Sequence, residues 1–265
     1  MVSVVRIPNQ PSFLKGRVLG WYSHGATSAV MAKLLVTQYP DCEIVNCSRT
    51  MANEHPDNAR CMADVSRWIG KDIVQLYSEK YKDIYDVFDK TGWLVGVGGA
   101  RCTQELKRDV REKYQQVGDI HCFGMTAEEP QRVERFKRDN PELYLMFPLV
   151  DAGLTKQDCI NMVMQAGIVL PAMYMLGYKN NNCIGCVKGG KGYWNKIRIL
   201  DFYRSHHCLI STMRRGRIDC GVRNKSNIRN GLCWHQCGSV IFCKNLSRIR
   251  IVKITNCSSI PFFNL

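Results

Sequence analysis

Long apolar runs are missing from this sequence. No window approaches the roughly 18 uninterrupted apolar residues that a membrane-spanning helix needs. No N-terminal run combines a basic start with an apolar stretch of signal length. We therefore expect a soluble protein of the cytoplasm that does not bind membranes. An apolar content of 45% in 265 residues predicts a globular chain with a substantial core.

Acidic residues are scarce at one end of the chain. Residues 204–265 contain 11 Lys and Arg but a single acid, Asp219. The net charge of the whole chain is +14, of which residues 1–203 carry only +4. Clustered Lys and Arg neutralise phosphates and release counterions, which is typical of nucleic-acid binding. The basic character is therefore mainly a property of the tail.

Short β-prone runs alternate with amphipathic stretches in the first half of the chain. RVLGWY is followed by a turn and by the helical pattern of AVMAKLLVTQY. The same order recurs in EIVNCS with PDNARCMADVSRWIG, in DIVQLYS with YKDIYDVFDK, and in DIHCFGM with AEEPQRVERFKRDN. This alternation predicts an α/β fold with a mainly parallel sheet that is covered on both faces. Such sheets bind ligands at the carboxyl ends of their strands.

The pattern changes after residue 147. A helix is expected at about 155–166, followed by a loop-like stretch and a short helix in YWNKIRILDF. We therefore divide the chain into three parts. They are an α/β domain (1–147), a helical extension that carries a CxxC motif (148–203) and a basic, cysteine-rich tail (204–265).

The sequence SHGATS stands between the first strand and the first helix. Free N–H groups and the positive end of the helix dipole favour an anion at such a turn. Gly25 permits close backbone approach, and Ser23 and Ser28 offer hydroxyl donors. Thr27 or Ser28 is expected to be the N-cap. The turn therefore predicts a phosphate site, and the alternative is an ordinary turn rich in Gly and Ser.

Fourteen cysteines without an export signal favour thiols, metal ligation or redox chemistry over disulfides. Cys183 and Cys186 form the CxxC, and Cys102 lies at the start of an expected helix, near Arg101 and Lys107. Thiolates are favoured beside helix N-termini and cations. Three thiolates can hold iron or zinc and leave a fourth position open. The alternatives are a redox pair and ordinary reduced thiols.

The order of the motifs resembles one known family. SHGATS, NEHPDNAR, ARCTQELKR, GMTAEEPQRVERF, PLVDAGLTKQDCINMV and LPAMYMLGYKNNNCIGC together resemble the phosphoadenosine phosphosulfate (PAPS) and adenosine phosphosulfate (APS) reductase family. The likeness is strongest to its short phage and bacterial members, and it covers about residues 15 to 203. It implies a Rossmann-like adenine nucleotide alpha-hydrolase fold. For a phage-encoded chain it implies the host cytoplasm.

The resemblance implies a nucleotide site. In the family, the first strand-to-helix turn is a pyrophosphate loop (PP-loop), usually SGGxDS. The corresponding residues here are Ser23, His24, Gly25, Ala26, Thr27 and Ser28. His24 replaces a glycine and Thr27 replaces the acid, which weakens the case for ATP hydrolysis more than the case for binding. Three cations are expected to contact phosphate or sulfate oxygens, with solvated helix faces as the alternative. They are Arg101, Lys107 and Arg132.

The resemblance also implies a metal site. In the APS branch, cysteines after the third strand and a later CxxC hold a four-iron cluster. Cys102, Cys183 and Cys186 fall at similar places, but the usual paired cysteine is single because Arg101 precedes Cys102. An iron–sulfur cluster, or zinc, on three cysteines would keep one position open or borrow another ligand. This resembles some thiolating members of the wider superfamily.

The leading interpretation is an adenine-nucleotide-binding enzyme that resembles PAPS reductase. It would carry out sulfonucleotide reduction or related sulfur or nucleotidyl chemistry on PAPS, APS or ATP, with a thioredoxin-like donor. One alternative is ATP-dependent thiolation or other modification of tRNA or DNA, with Mg accompanying the ATP. Another is a non-catalytic protein that binds a nucleotide or a nucleic acid. In the family, the reductase nucleophile is a cysteine in an ECGLH-like segment, and this chain has no such segment. The most similar stretch is HQCGSV around Cys237, which shares only Cys-Gly, so we assign no catalytic residue.

The sequence changes character near Phe202. From there on acidic residues are scarce, the apolar residues keep no period, and the resemblance to the family ends. One hypothesis is a shifted reading frame that begins there. The rival is a basic module that binds zinc or nucleic acid through Cys233, His235, Cys237 and Cys243. Their spacing matches no strong zinc pattern, so we favour an aberrant or poorly packed end.

Overall fold

The structure is a computed structural model of the chain. It describes residues 16–47, 53–96 and 99–199, and the backbone of three short strands between residues 232 and 253. The chain divides into two compact units. One contains Met1–Asp86 and Cys102–Cys186, and the other contains Val87–Arg101 and Val187–Leu265. The domain boundary expected after residue 147 stays a prediction.

The described strands are β1 (Val18–Tyr22), β2 (Glu43–Asn46), β3 (Ile73–Gln75), β4 (Val95–Gly96), β5 (Gly99–Ala100), β6 (Ile120–Phe123), β7 (Tyr144–Met146), β8 (Leu232–Trp234), β9 (Ser239–Phe242) and β10 (Arg250–Lys253). Five of these described strands form a parallel sheet in the order β3-β2-β1-β6-β7. β4 and β5 form an antiparallel hairpin, and β8 to β10 form an antiparallel sheet. The expected α/β fold with a mainly parallel sheet is confirmed.

The described helices are α1 (Ala26–Gln38), α2 (Asp57–Ile69), α3 (Ile84–Thr91), α4 (Arg101–Thr103), α5 (Asp109–Tyr114), α6 (Pro130–Asp139), α7 (Pro148–Asp151), α8 (Lys156–Gln165), α9 (Ala172–Met175) and α10 (Lys191–Ile199). A π-helical turn, Gln104–Arg108, joins α4 to α5 without a break. α9 lies within a stretch that was expected to be a loop. Four residues are too few to show a helical period in the sequence.

The sheet is covered on both faces, as the alternating pattern predicts. On one face, α1, α2 and α8 pack against β1 and β2 through a continuous apolar core. Fully buried members of this core include Leu35, Ile44, Val65, Leu149 and Val163. On the other face, Leu19, Trp21 and Val45 form a second cluster with Tyr114 of α5. Burial of these side chains is the main source of stability for the sheet.

The expected helix at 155–166 is confirmed as α8, and its start has a specific cause. The Thr155 hydroxyl accepts a hydrogen bond from the Asp158 N–H, and the Asp158 carboxylate accepts one from the Thr155 N–H (2.9 Å). This capping box satisfies two N–H groups that a helix start leaves free. α8 packs against α1, so the beginning of the extension lies in the same compact unit as the sheet.

The continuous helical stretch from α4 to α5, which contains Cys102 and Lys107, is oriented by contacts at its C-terminal end. Arg17, just before β1, donates to the backbone oxygen of Tyr114 (3.3 Å) and to the carboxylate of Asp119 (2.8 Å). The end of α5 therefore lies at the amino ends of β1 and β6. Because the helix leads away from that end, its earlier residues lie toward the carboxyl ends of the strands, where parallel sheets bind ligands.

His121 of β6 makes the stability of the fold sensitive to mild acid. Its buried ring accepts a hydrogen bond from Trp21 Nε1 (3.0 Å). Burial, and then the positive charge of Arg111, lowers the pKa of His121 to about 4. An unfolded chain takes up this proton near the ordinary pKa of about 6.5. The protein therefore loses no stability through His121 as long as the pH stays above about 6.5. We expect about 2 to 3 kcal/mol to be lost as the pH falls toward about 4.

Denaturant unfolding between about pH 7 and about pH 4.5 measures this effect. The matched variant is His121→Asn, because an amide oxygen can accept from the Trp21 indole without titrating. We expect the free energy of unfolding of this variant to vary much less over the same range. An equally steep decline in the variant would assign the acid sensitivity to other groups.

In the parts of the chain that the structure describes, no helix has the length and apolar character needed to cross a membrane. The expectations for the tail lie outside the described residues. They comprise the shifted frame near Phe202, the possible nucleophile Cys237 and the basic module with its Cys and His side chains.

Candidate functional site

The turn between β1 and α1 contains a residue in the left-handed region. His24 has a φ of 58°, and no other non-glycine residue among those described has a positive φ. Glycine adopts this conformation freely, whereas a residue with a Cβ is strained in it. The backbone of the turn is therefore one that glycine would form without strain, and contacts around His24 must hold it.

The N-cap of α1 is Gly25, so the expectation that Thr27 or Ser28 caps the helix is wrong. The Ser28 hydroxyl instead donates to the backbone oxygen of Gly25 (2.9 Å) and accepts from the Ser23 N–H (3.1 Å). It is used inside the turn rather than offered to a ligand. No side chain caps α1, and its first turn contains no acid. The helix therefore presents its positive dipole end without an internal anion.

The turn lies at the switch point of the sheet. β1 is the central strand, with β2 and β3 on one side and β6 and β7 on the other. In open α/β sheets, ligands bind in the crevice at the carboxyl ends of the strands where the order reverses. β6 closes tightly against the turn, because a Cβ at Gly124 would lie 3.0 Å from the backbone N and Cα of Ser28.

The His24 side chain is completely buried beneath the turn. Its Nδ1 lies 2.9 Å from Glu54 Oε2, and its Nε2 lies 3.0 Å from the amide nitrogen of Asn46. An amide nitrogen only donates, so Nε2 accepts and Nδ1 carries the proton that faces Glu54. The backbone oxygen of His24 also accepts a hydrogen bond from Asn181 Nδ2 (2.8 Å). These contacts hold the strained residue in place.

Glu54 is a buried carboxylate that remains charged. Burial raises its pKa, but the hydrogen bond from His24, the charge of Lys107 and the hydrogen bond from Asn58 (2.8 Å) outweigh burial and lower the pKa to about 2. The ammonium of Lys107 lies 3.9 Å from Glu54 Oε1. A buried charge is tolerated when it is paired and hydrogen-bonded, as this one is.

Lys107 connects this network to the cysteines. It lies in the π-helical turn, a local irregularity that is frequent at functional sites. Desolvation lowers the pKa of Lys107, but nearby acidic groups, Cys183 first and then the charged Glu54, raise it above the ordinary value. The Lys107 ammonium thus lies near the Glu54 carboxylate and also near the thiols of Cys183, Cys102 and Cys47.

Three hydrogen bonds fasten the CxxC segment to the turn, to α2 and to the residues that precede α2. Besides its bond to His24, Asn181 donates to Asn58 Oδ1 (2.8 Å), and the N–H of Ile184 donates to the backbone oxygen of Asn53 (2.6 Å). Cys183 lies between these two anchors. Burial raises the pKa of Cys183 to about 12, and the charge of Lys107 opposes that rise.

The three predicted metal ligands are brought into one region. Cys102 and Cys186 are both close enough to Cys183 to raise its pKa, although Cys102 is far away in the sequence. Thiol sulfurs are the donors that zinc and iron–sulfur clusters prefer, so the donor chemistry fits. Within residues 16–47, 53–96 and 99–199, no three or more Cys, His, Asp or Glu side chains are grouped closely enough to hold a metal ion. The metal site on these three cysteines therefore stays a prediction, and a metal held by all three would need their sulfurs closer together.

The other two predicted cations are exposed. Arg132 is exposed on α6, where its guanidinium pairs with Glu129, which also accepts a hydrogen bond from the Thr126 N–H (3.2 Å). Arg101 is exposed and belongs to the second compact unit. Lys107 is linked to the turn through Glu54, which contacts His24.

Sequence reasoning missed the polar side chains that support the turn. They are Asn46, Glu54, Asn58 and Asn181. Asn46 ends an otherwise apolar strand, which is a signal that could have been used. Glu54 lies just before α2 and Asn58 in its first turn, both within the polar stretch NEHPDNAR, and neither carried a sign that it is buried.

No protein-family model matches this sequence, and no curated protein is significantly similar to it. Solved structures with similar folds include the phosphoadenylyl-sulfate (PAPS) reductase from Candida auris in a phosphate complex. It has 9% identity and a TM-score of 0.44, over 63% of this chain and 81% of that chain. They also include the U34-tRNA thiolase NcsA from Methanococcus maripaludis with its [4Fe-4S] cluster. It has 13% identity and a TM-score of 0.40, over 78% of this chain and 74% of that chain.

Proposed function

We propose that this chain is an enzyme that binds an adenine nucleotide, with the phosphates at the first turn of α1. The observation that carries the proposal is the uncapped, acid-free N-terminus of α1 at the switch point between β1 and β6. The free N–H groups and the dipole of a 13-residue helix favour an anion there. The motif order that resembles the PAPS and APS reductases supports an adenine nucleotide as the source of that anion.

We further propose that Cys102, Cys183 and Cys186 hold an iron–sulfur cluster or zinc. Three thiol ligands would keep a fourth position for a sulfur or oxygen atom of the substrate. The charge of Lys107 opposes the rise in the pKa of Cys183 and so favours the thiolate that metal binding requires. Glu54 fixes the position of that ammonium, and the bond from Asn181 to His24 connects the cysteine segment to the nucleotide turn.

The reaction proposed first is reduction of a sulfonucleotide, or related sulfur chemistry. A second candidate is ATP-dependent thiolation or other modification of a nucleic-acid base, which the basic residues 204–265 favour. The two make different products. Sulfite release from PAPS or APS supports the first, and pyrophosphate release from ATP that tRNA or DNA stimulates supports the second. Binding without either product would indicate a nucleotide-binding protein that is not an enzyme.

Gly25→Asp tests the nucleotide site. Gly25 is the N-cap of α1 in an extended conformation that aspartate can adopt, and an aspartate there caps the helix and stabilises it by roughly a few tenths of a kcal/mol. The same carboxylate repels a bound phosphate and takes up the N–H groups of the first turn. We therefore expect an unchanged or raised melting temperature together with at least about tenfold weaker binding of ATP, APS and PAPS, measured by calorimetry.

Thr37→Glu is the matched control. It adds the same charge in the last turn of the same helix, far from the proposed phosphates, and Thr37 is exposed. We expect it to leave nucleotide affinity unchanged. If the unaltered chain binds none of the three nucleotides, or if Gly25→Asp binds them as well as Thr37→Glu does, the site is assigned wrongly.

A further inference from the structure

The segment that leads from α9 to the CxxC crosses the first turn of α1. Asn181 reaches the backbone oxygen of His24, as described above. The phenol oxygen of Tyr174, on α9, lies 3.5 Å from the point that a Cβ on Gly25 would occupy. The backbone N–H of Ala26 faces the same phenol oxygen closely enough to affect its pKa. The Tyr174 hydroxyl therefore lies at the helix end where the phosphate is proposed to bind.

The start of this segment is fastened to α2. The Ala172 N–H donates to the Asp57 carboxylate (2.9 Å), and Arg60, which is paired with Asp57, donates to the backbone oxygen of Val169 (3.1 Å). These hydrogen bonds tie the start of α9 and the residues just before it to α2. They help to hold α9, and with it Tyr174, in place.

The other side of Tyr174 is also supported. The ammonium of Lys156 lies 5.7 Å from the centroid of the Tyr174 ring and donates to Asn180 Oδ1 (2.6 Å). A cation over the face of an aromatic ring attracts it and restricts its movement. Tyr174 is therefore held between α8 and the start of α1, with its hydroxyl directed at the turn.

The chemistry of a phenol suits a phosphate at this point. A tyrosine hydroxyl both accepts and donates, whereas phosphate oxygens accept. Burial raises the pKa of Tyr174, so the hydroxyl keeps its proton at neutral pH. With the Ala26 N–H directed at the oxygen, the O–H can be directed at an incoming anion.

We propose that Tyr174 is a phosphate-positioning residue whose hydroxyl donates a hydrogen bond to the nucleotide phosphate at the first turn of α1. This role rests on the proposed nucleotide site and adds a ligand contact from outside the SHGATS turn. It also gives the site a means to distinguish phosphorylated nucleotides from nucleosides, since adenosine has no oxygen to accept this bond.

Tyr174→Phe tests this role, because it removes the hydroxyl and keeps the ring near Lys156. We expect binding of ATP to weaken by about tenfold or more, since a hydrogen bond to a charged group is lost. Any binding of adenosine should be unchanged. Calorimetric titration of both ligands into the full chain measures the ratio. Tyr144→Phe removes an exposed hydroxyl on β7 and should change neither affinity.

The outcomes separate this role from the nucleotide site itself. If the unaltered chain binds ATP and Tyr174→Phe binds it equally well or more tightly, the positioning role is overturned and the nucleotide site stands. If the unaltered, folded chain does not bind ATP, APS or PAPS, the proposed site fails and this role fails with it. If Tyr174→Phe weakens ATP and adenosine equally, the ring or the fold is responsible, and the role is again overturned.

Discussion

Glu54→Ala is expected to lower the free energy of unfolding by about 3 to 5 kcal/mol. The carboxylate is 8% exposed and is the shared partner of the His24 imidazole, the Asn58 amide and the Lys107 ammonium. Removing it leaves the buried Nδ1–H of His24 without an acceptor and takes a negative charge from beside Lys107. Removing one member of a buried, hydrogen-bonded set costs more than the set itself contributes, because the remaining groups are left unpaired.

Urea denaturation at neutral pH measures the loss, and two variants serve as controls. Glu54→Gln keeps the shape and an oxygen that can accept from His24, so we expect a cost of only about 1 to 2 kcal/mol. Glu134→Ala removes a glutamate whose side chain is 72% exposed and should change stability by less than about 0.5 kcal/mol. If Glu54→Ala costs no more than Glu134→Ala does, the buried network does not stabilise the turn.

A double-mutant cycle measures how much of the stability loss comes from the interaction between Glu54 and His24. His24→Gly suits the positive φ at this position but removes the imidazole that bonds Glu54. If the two side chains act together, the double variant should be more stable than the sum of the single effects predicts, by about 1 kcal/mol or more. Additive effects would mean that Glu54 is stabilised mainly by Asn58 and Lys107.

Cys183→Ser is expected to abolish metal binding. The full chain, purified without oxygen, should contain iron with acid-labile sulfide, or zinc, and iron would give a broad visible absorption. A serine hydroxyl does not replace a thiolate as a ligand for a cluster or for structural zinc. Cys183 lies between Asn181 and Ile184, which are both hydrogen-bonded to backbone oxygens of other segments. Both other predicted ligands are close enough to Cys183 to raise its pKa. Its replacement should therefore remove nearly all of the metal, as measured by elemental analysis.

Cys47→Ser is the matched control for the metal experiment. Cys47 follows β2 and is half-buried, and the charge of Lys107 opposes the rise in its pKa that burial causes. It is not one of the three predicted ligands. We expect the metal content of this variant to match that of the unaltered chain. Loss of metal in Cys47→Ser with retention in Cys183→Ser would show that the ligand set is assigned wrongly. A folded chain with neither iron nor zinc would leave the CxxC as a pair of thiols near Lys107.

Local patterns predicted the main elements well. The alternating runs of β1, β2 and β6 with their helices follow from side-chain periodicity, which each segment carries by itself. The helix expected at about 155–166 is α8, whose start is fixed locally by the capping box of Thr155 and Asp158. Short elements such as α9 and the hairpin of β4 and β5 escaped, because a few residues cannot display a period and their geometry depends on neighbours.

The sequence by itself determined the parallel α/β sheet and the placement of SHGATS on its first turn, because apolar periodicity and turn chemistry are local properties. Only the tertiary structure decided that Gly25 caps α1, that His24 is strained and buried, and that Glu54 joins it to Lys107. These residues come from separate strands, loops and helices. Their contacts depend on how β1, β2 and the helix of Lys107 pack, and no local pattern encodes that distance.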